Sequence, residues 1–321
     1  MRHSFSTISL LIIVLFARCQ KEEEIAQVRF AGMKVTNYQE HYHVGFWGEE
    51  NNMEISLFAC GVNQLFAIGR IRYYSSLNDH FRGITLNDYL SSTDWIGPYF
   101  VCGEENIQAG LPQKFTGGWH GSNGDGTGDR TAYTKEIVIL ADGVQTEIVD
   151  EVSCKRVEFI VTNYIHGYDY SLSGKNLLKE TVHYTITEDR KIDVQLQIEA
   201  LNDLRIQRYY GLQSQNFAIF DSVKYIAGEQ QISTAIIAAN TKCQSNEGVN
   251  TILLVDQSLS HQLKLVLNTN EGIGNFNYLA EGLPRAFSAS YRKSYFNLVN
   301  GKELVMKKGE KVFWNGSYVW D

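Results

Sequence analysis

From about Val28 to the C-terminus, apolar and polar residues alternate with a period of two in segment after segment, and no stretch sustains helical periodicity. Such alternation predicts strands with one buried and one wet face, so the chain is expected to be all-β. The clearest pair runs Leu177 to Thr187 against Lys191 to Leu201. Val182, Tyr184 and Ile186 face one way, and Ile192, Val194, Leu196 and Ile198 answer them across a Glu188-Asp189-Arg190 turn. A second pair, Glu136 to Leu140 and Val144 to Val149, flanks Ala141-Asp142-Gly143, whose Asp-Gly suits a tight hairpin. Near the C-terminus, Tyr291 to Val299, Leu304 to Lys307 and Lys311 to Trp320 read as strands, with turns expected at Asn300-Gly301 and Lys308-Gly309-Glu310.

Counting these segments gives roughly fifteen to eighteen strands, more than an immunoglobulin-sized sandwich holds, and the expected architecture is one large antiparallel β-sandwich. With three prolines in 321 residues, no Ser/Pro linker and no fixed-period repeat, residues 28–321 are read as a single domain. The irregular exception is Thr85 to Thr134, which contains Asp94-Trp95-Ile96-Gly97-Pro98-Tyr99 and a run of glycines from Gly117 to Gly126. A long loop-rich segment within a regular β protein is usually functional.

A hydrophobic fraction of 44% and a charged fraction of 20% fit a folded globular chain. The net charge of −7, with Lys and Arg scattered rather than striped, argues against nucleic acid as a partner. A local pocket can still take a uronic acid, since one or two Arg suffice for a carboxylate. No nucleotide loop, zinc motif or nucleophile elbow is present, so neither cofactor nor metal is expected. Asp125 and Asp129 lie among glycines but lack the spacing of a calcium loop.

Ile8 to Phe16 is apolar, follows Arg2 and is too short to span a bilayer, which is the pattern of an export signal. Leu15-Phe16-Ala17-Arg18-Cys19 resembles a bacterial lipobox, with Arg18 in place of the usual small residue. Gln20-Lys21-Glu22-Glu23-Glu24 resembles the acidic signal of Bacteroidetes surface lipoproteins. The resemblance implies a signal peptide over 1–18, lipidation at Cys19, an acidic tether over 19–27, and anchoring at the outer membrane or cell surface. Cys60, Cys102, Cys154 and Cys243 then remain, either as two disulfides of undetermined pairing or as buried free thiols.

Three features in order resemble the galactose mutarotase-like β-supersandwich superfamily: the His-Gly loop at Gly117 to Gly121, the Asn-bearing turn at Glu199 to Asp203, and Arg208-Tyr209-Tyr210-Gly211-Leu212-Gln213. The resemblance covers most of the mature chain and implies a supersandwich with His120 in the site. Where the family carries a second histidine, this chain reads Gly211-Leu212-Gln213. Glu271 and Glu281 stand where a late glutamate base is expected.

The same residues suit a sugar, which is amphipathic. Trp95, Trp119, Tyr209 and Tyr210 offer flat apolar faces, while His120, Asn123, Arg130 and Gln213 offer directional hydrogen bonds. His120, Tyr210 and Arg130 are the candidate catalytic group, and Trp95, Trp119, Asn123, Tyr209 and Gln213 the candidate substrate-binding group. His80 with Arg82, His166 with Tyr168, and the neighbouring His41 and His43 are weaker candidates. The expected function is to bind or process carbohydrate. A polysaccharide lyase is the leading chemical version, with Tyr or His removing a proton and Arg, Asn or Gln neutralising a uronate. Noncatalytic glycan binding, epimerisation, and hydrolysis by two of Asp88, Asp94, Asp125 and Glu271 are the alternatives.

Overall fold

The structure, a computed structural model, describes residues 32–47, 52–74, 85–237, 241–242, 248–256, 258 and 261–321. Residues 1–18, the tether 19–27 with Cys19, His80, Arg82 and Cys243 lie outside the described residues.

The chain is an all-β sandwich of three sheets. A ten-stranded antiparallel sheet runs Gln230–Ile236, Ser222–Ala227, Thr251–Val255, Gln262–Leu267, Lys311–Trp320, Lys191–Ala200, Asn176–Thr187, Arg156–His166, Ala132–Ala141 and Val144–Gln145 in spatial order. One six-stranded sheet is built from Thr85–Leu90, Leu65–Tyr74, Asn52–Cys60, His41–Trp47, Gly32–Tyr38 and Glu151–Cys154. The other carries Thr241–Lys242, Ala286–Ala289, Lys293–Met306, Leu204–Gln215 and Tyr99–Gly103, with Tyr278–Leu279 added in parallel.

The alternation read from sequence is what the sheets bury. In the central hairpin Val182 faces Leu196, Tyr184 faces Val194 and Ile186 faces Ile192, and all six are in the core. Full burial of each such aliphatic side chain contributes about 1.5–3 kcal/mol. Asp142 and Gly143, with φ of 48° and 81°, turn the neighbouring hairpin. Tyr42 and Phe66 of the first six-stranded sheet pack edge-on or tilted against Phe159 of the large sheet. From the other six-stranded sheet Tyr209 accepts a 2.8 Å hydrogen bond from the Trp314 indole.

Two expectations change. Asn300-Gly301 does not end a strand: Lys293–Met306 continues through it, with a bulge where Ile206 pairs Leu304 but Arg208 pairs Asn300. The reason is a neighbour that sequence cannot show. Ala280 donates to the Asn300 carbonyl at 2.8 Å, and a Cβ on Gly301 would stand 2.6 Å from the Ala280 Cβ. The segment from Thr85 to Thr134 is also less irregular than expected. It holds the strands Thr85–Leu90 and Tyr99–Gly103 and the 3-10 turn Glu104–Ala109, because each strand finds an edge partner in a six-stranded sheet.

Candidate functional site

The glycine loop is fixed from below. Gly117 and Gly118, with φ of 74° and 51°, reverse the chain so that His120 donates its backbone N–H to the Gly117 carbonyl at 3.0 Å. Beneath it the fully buried Asn63 donates to the carbonyls of Gly118 and His120, each at 2.9 Å, and accepts from the Thr131 N–H at 2.6 Å and the Ala132 N–H at 3.1 Å. One amide thus satisfies four backbone groups and holds both ends of the loop together.

His120 faces a cavity of about 410 Å³ whose walls include Phe115, Tyr210, Gln213, Tyr291, Lys293 and Tyr295. Two local rules bring these side chains together. Lys293 and Tyr295 are two apart on one strand and share a face, and the turn before that strand brings Tyr291 to within 2.8 Å of Tyr295, hydroxyl to hydroxyl. Tyr210 and Gln213 are three apart and would diverge on a regular strand. A bulge, with Tyr210 pairing Asn297 and Gln213 pairing Tyr295, lets both reach the cavity. Gly211 allows it, since a Cβ there would come within 2.5 Å of Leu298.

Behind His120 is a buried ion pair. Asp94, 2% exposed, accepts from the Lys293 ammonium at 2.5 Å, and Lys293, 5% exposed, also donates to Thr93 Oγ1 at 2.7 Å. The other carboxylate oxygen takes the Trp119 N–H at 3.2 Å and lies 3.1 Å from His120 Nδ1, off the axis of a hydrogen bond. Burial alone would raise the Asp94 pKa, but Lys293 and His120 outweigh it and hold the carboxyl well below the usual range. Burial pulls the Lys293 ammonium below an ordinary lysine, against the attraction of Asp94. Burial raises the Tyr210 phenol, and Arg208 opposes the shift.

Gln213 is a polar group at the cavity for which the fold supplies no side-chain partner. It is fully buried on the cavity wall, yet neither its Nε2 nor its Oε1 has a hydrogen-bond partner. An unpaired buried amide is costly, and a ligand offering both an acceptor and a donor would satisfy it. The aromatic wall, Tyr210 tilted 5.0 Å from Tyr295 and 5.8 Å from Phe115, gives a sugar ring apolar faces.

The structure brings together His120, Tyr210 and Gln213 and separates the other candidates. Trp95 and Tyr209 are fully buried and cannot stack on a ligand. Trp95 packs 5.2 Å from Tyr318, and Tyr209 lies flat on Tyr99 at 4.4 Å, because both sit where a six-stranded sheet meets the large one. Trp119 is half-buried against Gly61, where a Cβ would stand 2.6 Å from its ring, and lies outside this cavity. Asn123 is exposed and bonded at 3.0 Å to Thr127, which closes its own loop. Arg130 belongs to a different cavity, beside His166 and Tyr168. His43 is engaged by Glu54 and Ser56, each at 3.0 Å, and His41 stacks on Phe58. Asp125 accepts from the Thr127 N–H at 2.9 Å, a local turn. Glu271 accepts from Asn268 and Asn315 on the large sheet, away from His120.

Sequence reading missed Asn63, Phe115, Lys293 and Tyr295, and took Asp94 only as half of a hydrolytic pair. A signal for Lys293 existed: a lysine inside an apolar strand needs a buried partner.

No family model matches the sequence, and no curated protein is similar to it. Solved structures match most of its length, each with a TM-score below 0.5. An α-galactosidase, AgaB of Geobacillus stearothermophilus, matches 89% of this chain at 11% identity and a TM-score of 0.44, over 41% of its own length. YeaD of Salmonella typhimurium, assigned as a mutarotase, matches 92% of this chain over 97% of its own at 6% identity and a TM-score of 0.40. Heparan sulfate lyase HepC of Pedobacter heparinus matches 91% over 35% at 10% identity and a TM-score of 0.34. The chain thus spans about two fifths of the α-galactosidase it matches. At these identities and TM-scores the matches say nothing of the site, which stands on its own geometry.

Proposed function

We propose that the protein binds a carbohydrate in the cavity beside His120 and acts on it by proton transfer, as an exported lipoprotein anchored through Cys19. The observation that carries this reading is the unpartnered Gln213 amide, set among aromatic rings and beside a histidine backed by the Asp94–Lys293 pair. Directional polar groups between flat apolar faces are what a sugar ring requires.

The leading chemistry is polysaccharide cleavage by elimination. His120 takes the proton next to a uronate carboxylate, the neighbouring carbon–oxygen bond to the departing sugar breaks, and a carbon–carbon double bond forms. Gln213 and Lys293 stabilise the charge that gathers on the carboxylate, and Tyr210 returns a proton to the leaving oxygen. Among the described residues the cavity lining contains no Asp or Glu, so hydrolysis by paired carboxylates lacks its groups there.

The test is a panel of neutral and uronic-acid polysaccharides, followed by affinity electrophoresis and by ultraviolet absorbance of the unsaturated product. Retention with product is expected, Gln213→Ala should weaken retention, and His120→Ala should lower turnover by about a hundredfold or more. Retention without product supports binding alone, and the absence of both across the panel overturns the reading. Anchoring is tested separately. Cys19→Ser should release the protein from the membrane fraction, and retention there after detergent-free washing overturns lipidation.

A further inference from the structure

The glycine loop has a second side. Lys114 and Phe115 are adjacent and line different cavities: Phe115 that of His120, and Lys114 another of about 410 Å³ that Arg130, His166, Tyr170 and Leu111 also line. The bulge at the end of Arg156–His166 sets His166 where its ring lies flat on Tyr170, centroids 3.7 Å apart and planes within 2°. Tyr170 is 42% exposed, so this stacked pair presents a flat face to the opening.

The charges are unbalanced. Arg130 makes no ion pair or hydrogen bond among the described residues, and Lys114 reaches only the Ser122 carbonyl, at 3.2 Å. Against these two cations the lining offers, among the described residues, one carboxylate, Asp129. An unpaired guanidinium at the mouth of a cavity with an apolar, flat interior suits a ring that carries an anionic group. Burial lowers the His166 pKa, so the imidazole is neutral near pH 7 and its nitrogens serve as hydrogen-bonding groups.

We infer that this second cavity, walled by Lys114, Arg130, His166 and Tyr170, is a separate binding site for an acidic sugar unit, carboxylated or sulfated. The identification of the ligand as a sugar rests on the carbohydrate reading above; the preference for an anion does not. The one loop held by Asn63 then carries His120 on one side and the anion site on the other. Successive units of an acidic polymer would be held from both sides of it.

Ring signals of the histidines, assigned by His166→Gln and His120→Gln, are followed by NMR during titration with sodium glucuronate, glucose 6-sulfate and glucose. At least one anion should shift His166 saturably, glucose should not, and Lys114→Ala with Arg130→Ala should weaken the anion by about tenfold or more. Response to glucuronate alone assigns the site to carboxylates, and to the sulfate alone to sulfated sugars. No shift at His166 with either anion, an equal shift with glucose, or an unchanged affinity in the double variant overturns the inference. A silent His120 with a responsive His166 counts against the first cavity while leaving the second standing.

Discussion

Lys293 meets Asp94 across 199 positions of sequence, Nζ to Oδ2 at 2.5 Å, with both side chains buried. The contact ties the irregular segment before Tyr99 to the strand that forms the cavity wall, and it puts a fixed negative charge directly behind His120. The stability of the pair and the electrostatics of the candidate site therefore both depend on Asp94.

Removing the cation leaves a buried carboxylate without compensation. Lys293→Met should cost about 3–5 kcal/mol, and adding Asp94→Asn should recover most of it. Urea unfolding at neutral pH measures both. A double variant no more stable than the single one would mean that the two residues are energetically independent.

The pair also governs the acid limb of stability. A carboxylate whose folded pKa is depressed contributes stability above its unfolded value, about 3.9 for Asp, and loses it as pH falls toward the folded value. Asp94 and Glu54 are both depressed in this way. The unfolding free energy should drop below pH of about 4, and the Lys293→Met, Asp94→Asn variant should drop less steeply. Parallel curves would remove Asp94 from the account.

Glu180 should behave oppositely. It is buried beside Tyr99, which donates to it at 2.5 Å, and Asn163, which donates at 2.9 Å, and burial raises its pKa against those hydrogen bonds. A raised carboxyl contributes stability below its unfolded pKa of about 4.3 and loses it as pH rises through the folded value. Glu180→Gln should flatten the loss of stability as pH rises above the unfolded value of about 4.3. An equal slope in the two proteins would show that Glu180 does not titrate there.

Asn63→Ala should cost roughly 1–3 kcal/mol for each buried group left unpaired, tempered by whatever water enters. Hydrogen exchange at Thr131 and Ala132 should accelerate before that of the central hairpin. Uniform acceleration would mean that the loop unfolds only with the whole protein.

Cys60, Cys102 and Cys154 are free and buried, and burial pushes their thiols up to about 12, 11 and 11. In a Cys19→Ser, Cys243→Ser variant, a thiol reagent at pH 8 should find no reactive cysteine in the native state and all three after denaturation. Rapid native labelling would show that one of them is open to solvent.

The sheets were legible in the sequence because a half-buried strand writes its burial into alternate residues, as Val182, Tyr184 and Ile186 do. His120, Tyr210 and Gln213 were legible as chemistry-bearing types near loops. Asp94, Asn63 and Lys293 were not legible as partners, because their contacts join positions far apart in the chain and leave no local period. Trp95 and Tyr209 misled for a related reason: an aromatic reads the same whether it faces a ligand or the joint between two sheets.

Trp95 gives that joint a spectroscopic signature. Its ring lies 5.2 Å from Tyr318 and 6.2 Å from Trp320, while its carbonyl accepts the N–H of Gln213 at 3.0 Å. Rings this close and rigidly held couple their electronic transitions, so the near-ultraviolet circular dichroism of the native chain should be dominated by this cluster. The main chains of Trp95 and Gln213 are joined by one hydrogen bond, so an occupant that engages Gln213 should change the dichroism without a label, even where no reaction follows.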